Sequence, residues 1–271
     1  LTEEIIRDLK NIELLIVEIE SISGVIGTGH LHPLAGGLRT LEMCISEMLS
    51  PLLIGEDASN VETLWKKMWH ATYIQGRMGI TVMAMSALDV ALWDLVGRST
   101  GKPLWQLWNG VPGPLPVYGS GCYRGLGHDG MIEKAEQYVA DGFTVVKMQV
   151  AHIFSADEDV NNVRDMRSAL GNDIGIMVDV NQGWNVDQAI TIGRRLDNYD
   201  LVWLEEPVIA DDFDGYHKIA KAIRTTVVGG ENHFTHHDLK PFFSSGHVPI
   251  LQPDIMRGGY TELRVIANHA E

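Results

Sequence analysis

The sequence predicts an α/β protein, a barrel of parallel strands preceded by a smaller α+β domain. Three observations carry the prediction. Beyond residue 114, apolar runs of strand length alternate with stretches of helical period. Asp179, Glu205 and Glu231 close three of those runs, each 26 residues from the next. Between the two differently patterned halves, residues 110–116 hold three prolines and two glycines, the composition of a connection rather than of an element. The expected domains are therefore 1–113 and 114–271.

In the first domain, residues 14–22 are β-branched and partly alternating, which predicts a strand. The glycine-rich stretch 24–37 reads as an exposed loop. Residues 40–53, 61–73 and 80–96 carry apolar side chains at i, i+3 and i+4, the period of helices with one buried face. Gly97 and the Gly101-Lys102-Pro103 turn close the last of them. In the second domain, strands are predicted at 116–120, 144–150, 174–180, 202–205, 226–230 and 249–252. Helices should begin near His128, Ala156, Val186, Phe213, Thr235 and Tyr260, which makes six βα units.

Bulk composition narrows the functional classes. The chain has 271 residues, 45% of them hydrophobic, enough for a sizeable core. Its 36 acidic against 21 basic residues leave a formal charge of −15, so general affinity for nucleic acid or an anionic membrane surface is not expected. Cys44 and Cys122 form no metal-binding or disulfide pattern, which suits a reducing cytoplasm. No run of about 18 apolar residues marks a membrane span.

The chemistry concentrates at the strand ends. Parallel barrel strands deliver their last residues to one mouth, where such folds place their active sites. Side chains two apart share a face, so Lys147 pairs with Gln149 and Asp179 with Asn181. Glu205, Glu231 and Asp254 end further runs. Any one acid after a strand more often caps the next helix than binds anything. Several at successive strand ends repel one another unless a cation lies between them, and ligands that are all oxygen suit Mg²⁺ rather than zinc. Lys147, inside the apolar run Val145–Gln149, is costly to bury without a partner. Glu206, Asp211 and Asp212 read as solvated or capping charges, and His233, His236 and His237 as surface or capping groups.

Lys147, Asp179-Val180-Asn181, Trp203-Leu204-Glu205-Glu206-Pro207, Gly230-Glu231-Asn232 and Gln252-Pro253-Asp254 follow one another at intervals that resemble the barrel motifs of the enolase superfamily, within it the mandelate racemase/muconate lactonizing enzyme-like subgroup. Ala84, Ala87, Leu88, Asp89, Ala91, Trp93 and Asp94 resemble that group's N-terminal capping domain. The resemblance implies an enolase-type modified TIM barrel, (β/α)7β, with an α+β capping domain. This chain would hold its first six βα units and be C-terminally incomplete. It also implies Mg²⁺ held by Asp179, Glu205 and Glu231, which would stabilise the enediolate formed when the α-proton of a carboxylate substrate is removed. Lys147 would add positive charge to the same oxygens. Asp254 would orient a histidine one strand later, a position beyond Glu271.

The lysine-x-lysine element of the resembled group reads Lys147-Met148-Gln149 here, and an amide cannot accept a proton at neutral pH. A racemase needs a base on each face of the α-carbon, so racemisation is disfavoured, whereas dehydration needs one base. The expectation is an acid-sugar dehydratase, acting on an aldarate or aldonate of the galactarate type. His30, Tyr73, Arg77, Gln149 and Asn181 would contact the small-molecule substrate, with Arg77 pairing a second carboxylate. Tyr123 and Arg124 rank below them. An epimerase or cycloisomerase of the same superfamily, or a non-catalytic metal-stabilised barrel that binds sugar acids, are the alternatives, and analogy with the group suggests a homo-oligomer.

Overall fold

The computed structural model describes residues 13–33 and 36–271. Two strands, β1 (Leu15–Glu20) and β2 (Ile26–Leu31), precede helices α1 (Leu38–Met43), α2 (Val61–Ala71) and α3 (Ile80–Thr100). Then follow β3 (Gly119–Cys122), α4 (Gly127–Ala140), β4 (Val145–Gln149), α5 (Ala156–Leu170), β5 (Gly175–Asp179), α6 (Val186–Leu196), β6 (Leu201–Glu205), α7 (Phe213–Ala222), β7 (Val227–Val228), α8 (His236–Ser245) and α9 (Ile255–Ala270). Two compact units form. One contains Leu115–Gly230 and Pro241–Gln252. The other contains the described residues up to Pro114 with Glu231–Lys240 and Pro253–Glu271.

In the unit that holds β1, β2 and α1 to α3, α3 is the centre. Twelve of its residues are buried, among them Val82, Met85, Leu88, Ala91 and Leu92. A helix that is apolar nearly all round needs packing on every side. Length and composition would let α3 cross a membrane, yet most of it is buried within the unit, as in the core helix of a globular domain. Gly101, in the left-handed conformation at φ 65°, ends it.

The antiparallel pair β1–β2 lies on α3, and β2 corrects the expected loop at 24–37. Its glycines look like turn residues but serve close approach. An added Cβ at Gly27 would strike the Ala91 carbonyl, and one at Gly29 the Ala87 carbonyl. Asp94 fixes the same contact by accepting the Thr28 N–H at 2.8 Å.

The other unit is built on a parallel sheet in the order β3-β4-β5-β6-β7, each strand pairing with the next in sequence. Val146, Met148, Ile176 and Val178 alternate with the residues of the opposite face and are fully buried. Each such side chain contributes roughly 1.5–3 kcal/mol by leaving water. Capping boxes start two of the helices: Ser155 with Glu158 for α5, and Asn185 with Gln188 for α6. The strand expected at 249–252 is reduced to one bridge, Leu251 with Gly229. The helix expected at Tyr260 begins earlier, at Ile255, and is kinked at Gly259, whose φ is 76°.

Candidate active site

The register of the sheet puts Gln149 beside Asp179 and Asp179 beside Glu205, one row of polar residues at the C-terminal ends of β4, β5 and β6. One pleat below, Lys147, Met177 and Trp203 form the next row. Lys147 Nζ reaches up between the two acids, 2.8 Å from Glu205 Oε1 and 3.6 Å from Asp179 Oδ2. Trp203 Nε1 donates to the other Glu205 oxygen at 3.0 Å. Asp179 and Glu205 are 3% and 0% exposed, so one ammonium faces two buried carboxylates. Burial works against the charge on Lys147, but Asp179 and Glu205 outweigh it and the net shift is upward. Burial and the neighbouring Glu205 push Asp179 up from its ordinary value.

Asn181 locks Asp179 in place. Its backbone N–H donates to Oδ1 at 2.9 Å and its side-chain amide to Oδ2 at 2.8 Å. On the other side, Arg124 Nη2 donates to Asn181 Oδ1 at 2.6 Å, and His152 Nε2 donates to the Asn181 carbonyl oxygen at 2.9 Å. Both ends of the Asn181 amide are thus engaged by protein groups.

The backbone at this rim is unusual. Seven non-glycine residues among those described have positive φ, and five of them, Ala151, His152, Asn181, Gln182 and Glu206, directly follow β4, β5 or β6. Left-handed backbone at non-glycine residues costs about 1–3 kcal/mol each and collects where a site is being shaped. Asp159, fully buried at the start of α5, braces one of these turns by accepting the Ala151 N–H at 2.7 Å and Trp184 Nε1 at 3.3 Å. Burial pushes its carboxyl up to about 6.

Glu206 corrects the expectation of a solvated or capping charge: it is 0% exposed and accepts from Gln182 Nε2 at 3.2 Å. His233, expected at the surface, is buried as well. His236 donates to the buried Glu262, and His237 stacks on Trp69 with ring centroids 6.0 Å apart. Asp212 caps α7 as expected, accepting from Gly215 N.

Of the expected site residues, Lys147, Gln149, Asp179, Asn181 and Glu205 come together. Among the described residues no three histidine, cysteine or carboxylate side chains are grouped closely enough to hold a metal. Even so, two buried carboxylates with oxygen donors are the set that magnesium takes when waters and substrate complete its shell. Glu231, Asp254, His30, Tyr73 and Arg77 belong to the other compact unit. There, Asp254 accepts the Met256 N–H at 2.9 Å as the N-cap of α9. Tyr73 is 60% exposed, and the Arg77 guanidinium lies 4.1 Å over the Trp69 ring. His30 lines a cleft with Asp94, Arg98, Lys102 and Tyr260. A larger cavity, about 1040 Å³, lies against β1 and α3 and contains none of the expected residues.

Sequence reasoning underrated Arg124. It is 3% exposed, and the available signal was an arginine just after the first barrel strand, near the mouth, where loops vary.

Comparison with known proteins identifies the family of the chain. Residues 6–108 match the family described as mandelate racemase/muconate lactonizing enzyme, N-terminal domain, and residues 130–271 match the enolase C-terminal domain-like family. The chain is 36% identical over 272 residues to the 3,6-anhydro-alpha-L-galactonate cycloisomerase of Streptomyces coelicolor, covering 100% of this chain and 75% of that protein. It is 32% identical to the arabinonate dehydratase of Saccharolobus solfataricus, covering 96% and 70%. The magnesium-bound structure of a racemase from Streptomyces coelicolor A3(2) superposes with a TM-score of 0.91 at 36% identity, covering 95% of this chain and 72% of that one.

Proposed function

Because the chain belongs to the mandelate racemase/muconate lactonizing enzyme family of the enolase superfamily, we propose that it removes the α-proton of an acid sugar and expels the oxygen on the β-carbon, in a reaction that requires Mg²⁺. The observation that carries this reading is the buried pair Asp179–Glu205, in register and sharing the ammonium of Lys147. Two charges so poorly balanced in a buried place are expensive unless a cation uses them. Glu231 completes the ligand set by its spacing and motif. When bound, magnesium supplies the positive charge that lets a carboxylate substrate carry enediolate character.

The remaining roles fall to the protein's own groups. Lys147 presents its ammonium beside the substrate carboxylate, and Asn181 holds Asp179. Gln149, adjacent to Asp179 in the row, offers an amide to a substrate hydroxyl and cannot serve as a base. Asp254 orients the proton-transferring partner. His30, Tyr73 and Arg77 contribute polar contacts to the sugar chain.

Dehydration of an aldarate or aldonate, galactarate first, is the leading reaction. A second reading, cycloisomerisation, is favoured by the 36% identity to a cycloisomerase. The two share one chemistry. Both break the C–O bond β to the carboxylate, and they differ in whether the departing oxygen leaves as water or stays tethered as part of an opened ring. We place the enzyme in the cytoplasm as a homo-oligomer.

The test is incubation with Mg²⁺ and a panel of aldonates, aldarates, their lactones and anhydro-aldonates, read by NMR for keto-deoxy products in D₂O. Product from an open-chain acid supports dehydration, and product from cyclic acids alone supports cycloisomerisation. No product and no α-deuterium exchange from any member would overturn the proposal.

A further inference from the structure

Arg124 is buried, and among the described residues no carboxylate is in hydrogen-bond contact with it. It sits in the turn Arg124–Leu126 that follows β3, and its Nη2 reaches past the end of β4 to Asn181, which follows β5. Its Nε is buried and meets no acceptor. Asp179 and Asp159 attract the guanidinium through space, but burial outweighs them, and desolvating it for one hydrogen bond to a neutral amide is a poor exchange on stability alone, so the placement needs another reason. Asn181 supplies it, because every polar group of that residue is spent on one geometry. Two of its N–H groups hold the two oxygens of Asp179, and its two oxygens are held by Arg124 and His152. The bond from Arg124 fixes which way the amide faces: Oδ1 must point at the guanidinium, and Nδ2 must therefore point at Asp179.

We propose that Arg124 is a positioning residue which, acting through Asn181, sets the Asp179 carboxylate in the orientation that receives the divalent cation. The inference rests on the functional reading above, and it extends that reading to a residue that touches neither metal nor substrate.

Two physical effects of removing Arg124 have opposite signs, which makes the inference testable. Taking away a nearby positive charge should tighten cation binding through space. Releasing Asn181 should weaken it, by the 10–100-fold typical when a partner that orients a ligand is lost.

Calorimetric titration of the full chain with MgCl₂ separates them. Arg124→Met is expected to weaken Mg²⁺ binding about 10-fold or more, with the melting transition and circular dichroism of the metal-free protein retained. Arg124→Lys, whose ammonium can still donate to Asn181 Oδ1 but without the planar fork, should fall between Arg124→Met and wild type. Asn181→Ala should weaken binding to a similar degree. Adding Arg124→Met to Asn181→Ala should then weaken it no further and leave only the through-space tightening, since the path is already cut. Should Arg124→Met not fold, Arg124→Lys with and without Asn181→Ala makes the same comparison.

Unchanged or tighter Mg²⁺ binding on loss of Arg124, or effects of the two substitutions that multiply, would overturn the proposal. Asp179→Asn marks the other failure. If that variant still binds Mg²⁺ like wild type, the reading of the metal site falls and the proposal with it. If binding is lost there but kept within twofold in Arg124→Met, only the positioning role is refuted.

Discussion

Asp89 on α3 and the pair Asp179–Glu205 at the ends of β5 and β6 are equally buried carboxylates, and they are satisfied in opposite ways. Asp89 is surrounded by neutral donors. Thr261 offers its hydroxyl and its backbone N–H, the latter at 3.0 Å, and the backbone of Tyr260 bonds to it as well. These groups open the second part of α9 beyond the kink at Gly259, so a side chain on one helix caps another. Gly259 is required there because any Cβ would collide with Asp89. Asp179 and Glu205 instead share one lysine, in a rim of left-handed residues. Burial of an acid is therefore not the mark of a site. The mark is a charge balance that the protein leaves incomplete at the ends of its strands.

The largest expected effect tests that difference directly. Asp179→Asn or Glu205→Gln leaves one carboxylate against Lys147, a balanced pair. Turnover should drop by about 10³-fold or more, the scale on which preorganised charge acts in catalysis, while the thermal midpoint stays the same or rises. Assay of initial rates beside a melting curve reads both. A variant that loses stability as severely as one at Asp89 would break the comparison, because the pair would then be a structural device too.

Asp89→Ala should do the reverse. Losing the cap strands the Thr261 donors and should cost roughly 2–4 kcal/mol in urea unfolding, with Mg²⁺ affinity of the folded protein unchanged. Its pH dependence sharpens the point. Burial raises the Asp89 carboxyl from 3.8 to about 7, so the folded state binds that proton more tightly than the unfolded chain does. Its contribution to stability is complete below 3.8 and is lost as the pH climbs to about 7. The metal-free protein should accordingly show falling unfolding midpoints over that interval, and the substitution should flatten the slope. An unaltered slope in Asp89→Ala would assign the effect to other groups, with Asp159 and Asp179 next in line.

How much of this was legible beforehand depended on whether the signal was local. The strand ends and their acids could be read because parallel strands repeat, and the repeat is written in spacing. Gly27 and Gly29 misled because a glycine that permits a turn and a glycine that lets a helix lie flush are the same letter. Only the position of Ala87 and Ala91, about 60 residues away, distinguishes them. Arg124 was underrated for the same reason, its partner Asn181 being 57 residues on. Glu206 was misread because exposure is decided by what covers a residue. Asp254 combines both kinds: its capping bond to Met256 is local and visible, whereas the catalytic role it would have depends on a partner supplied from elsewhere.

The smallest expected effect bounds the site from outside. Ser155 caps α5 on the surface in a reciprocal box with Glu158, and Ser155→Ala should cost about 1 kcal/mol. One turn into the same helix, however, Asp159 holds the left-handed Ala151, and Ala151 leads to His152, which bonds to Asn181. If α5 is a rigid strut, losing its cap lowers the urea midpoint and leaves turnover within twofold, since the frayed first turn stops short of Asp159. A tenfold loss of turnover with the same small loss of stability would mean that the start of α5 sets the rim. The boundary between the neutrally satisfied scaffold and the charge-poor site would then run through α5 instead of along the strand ends.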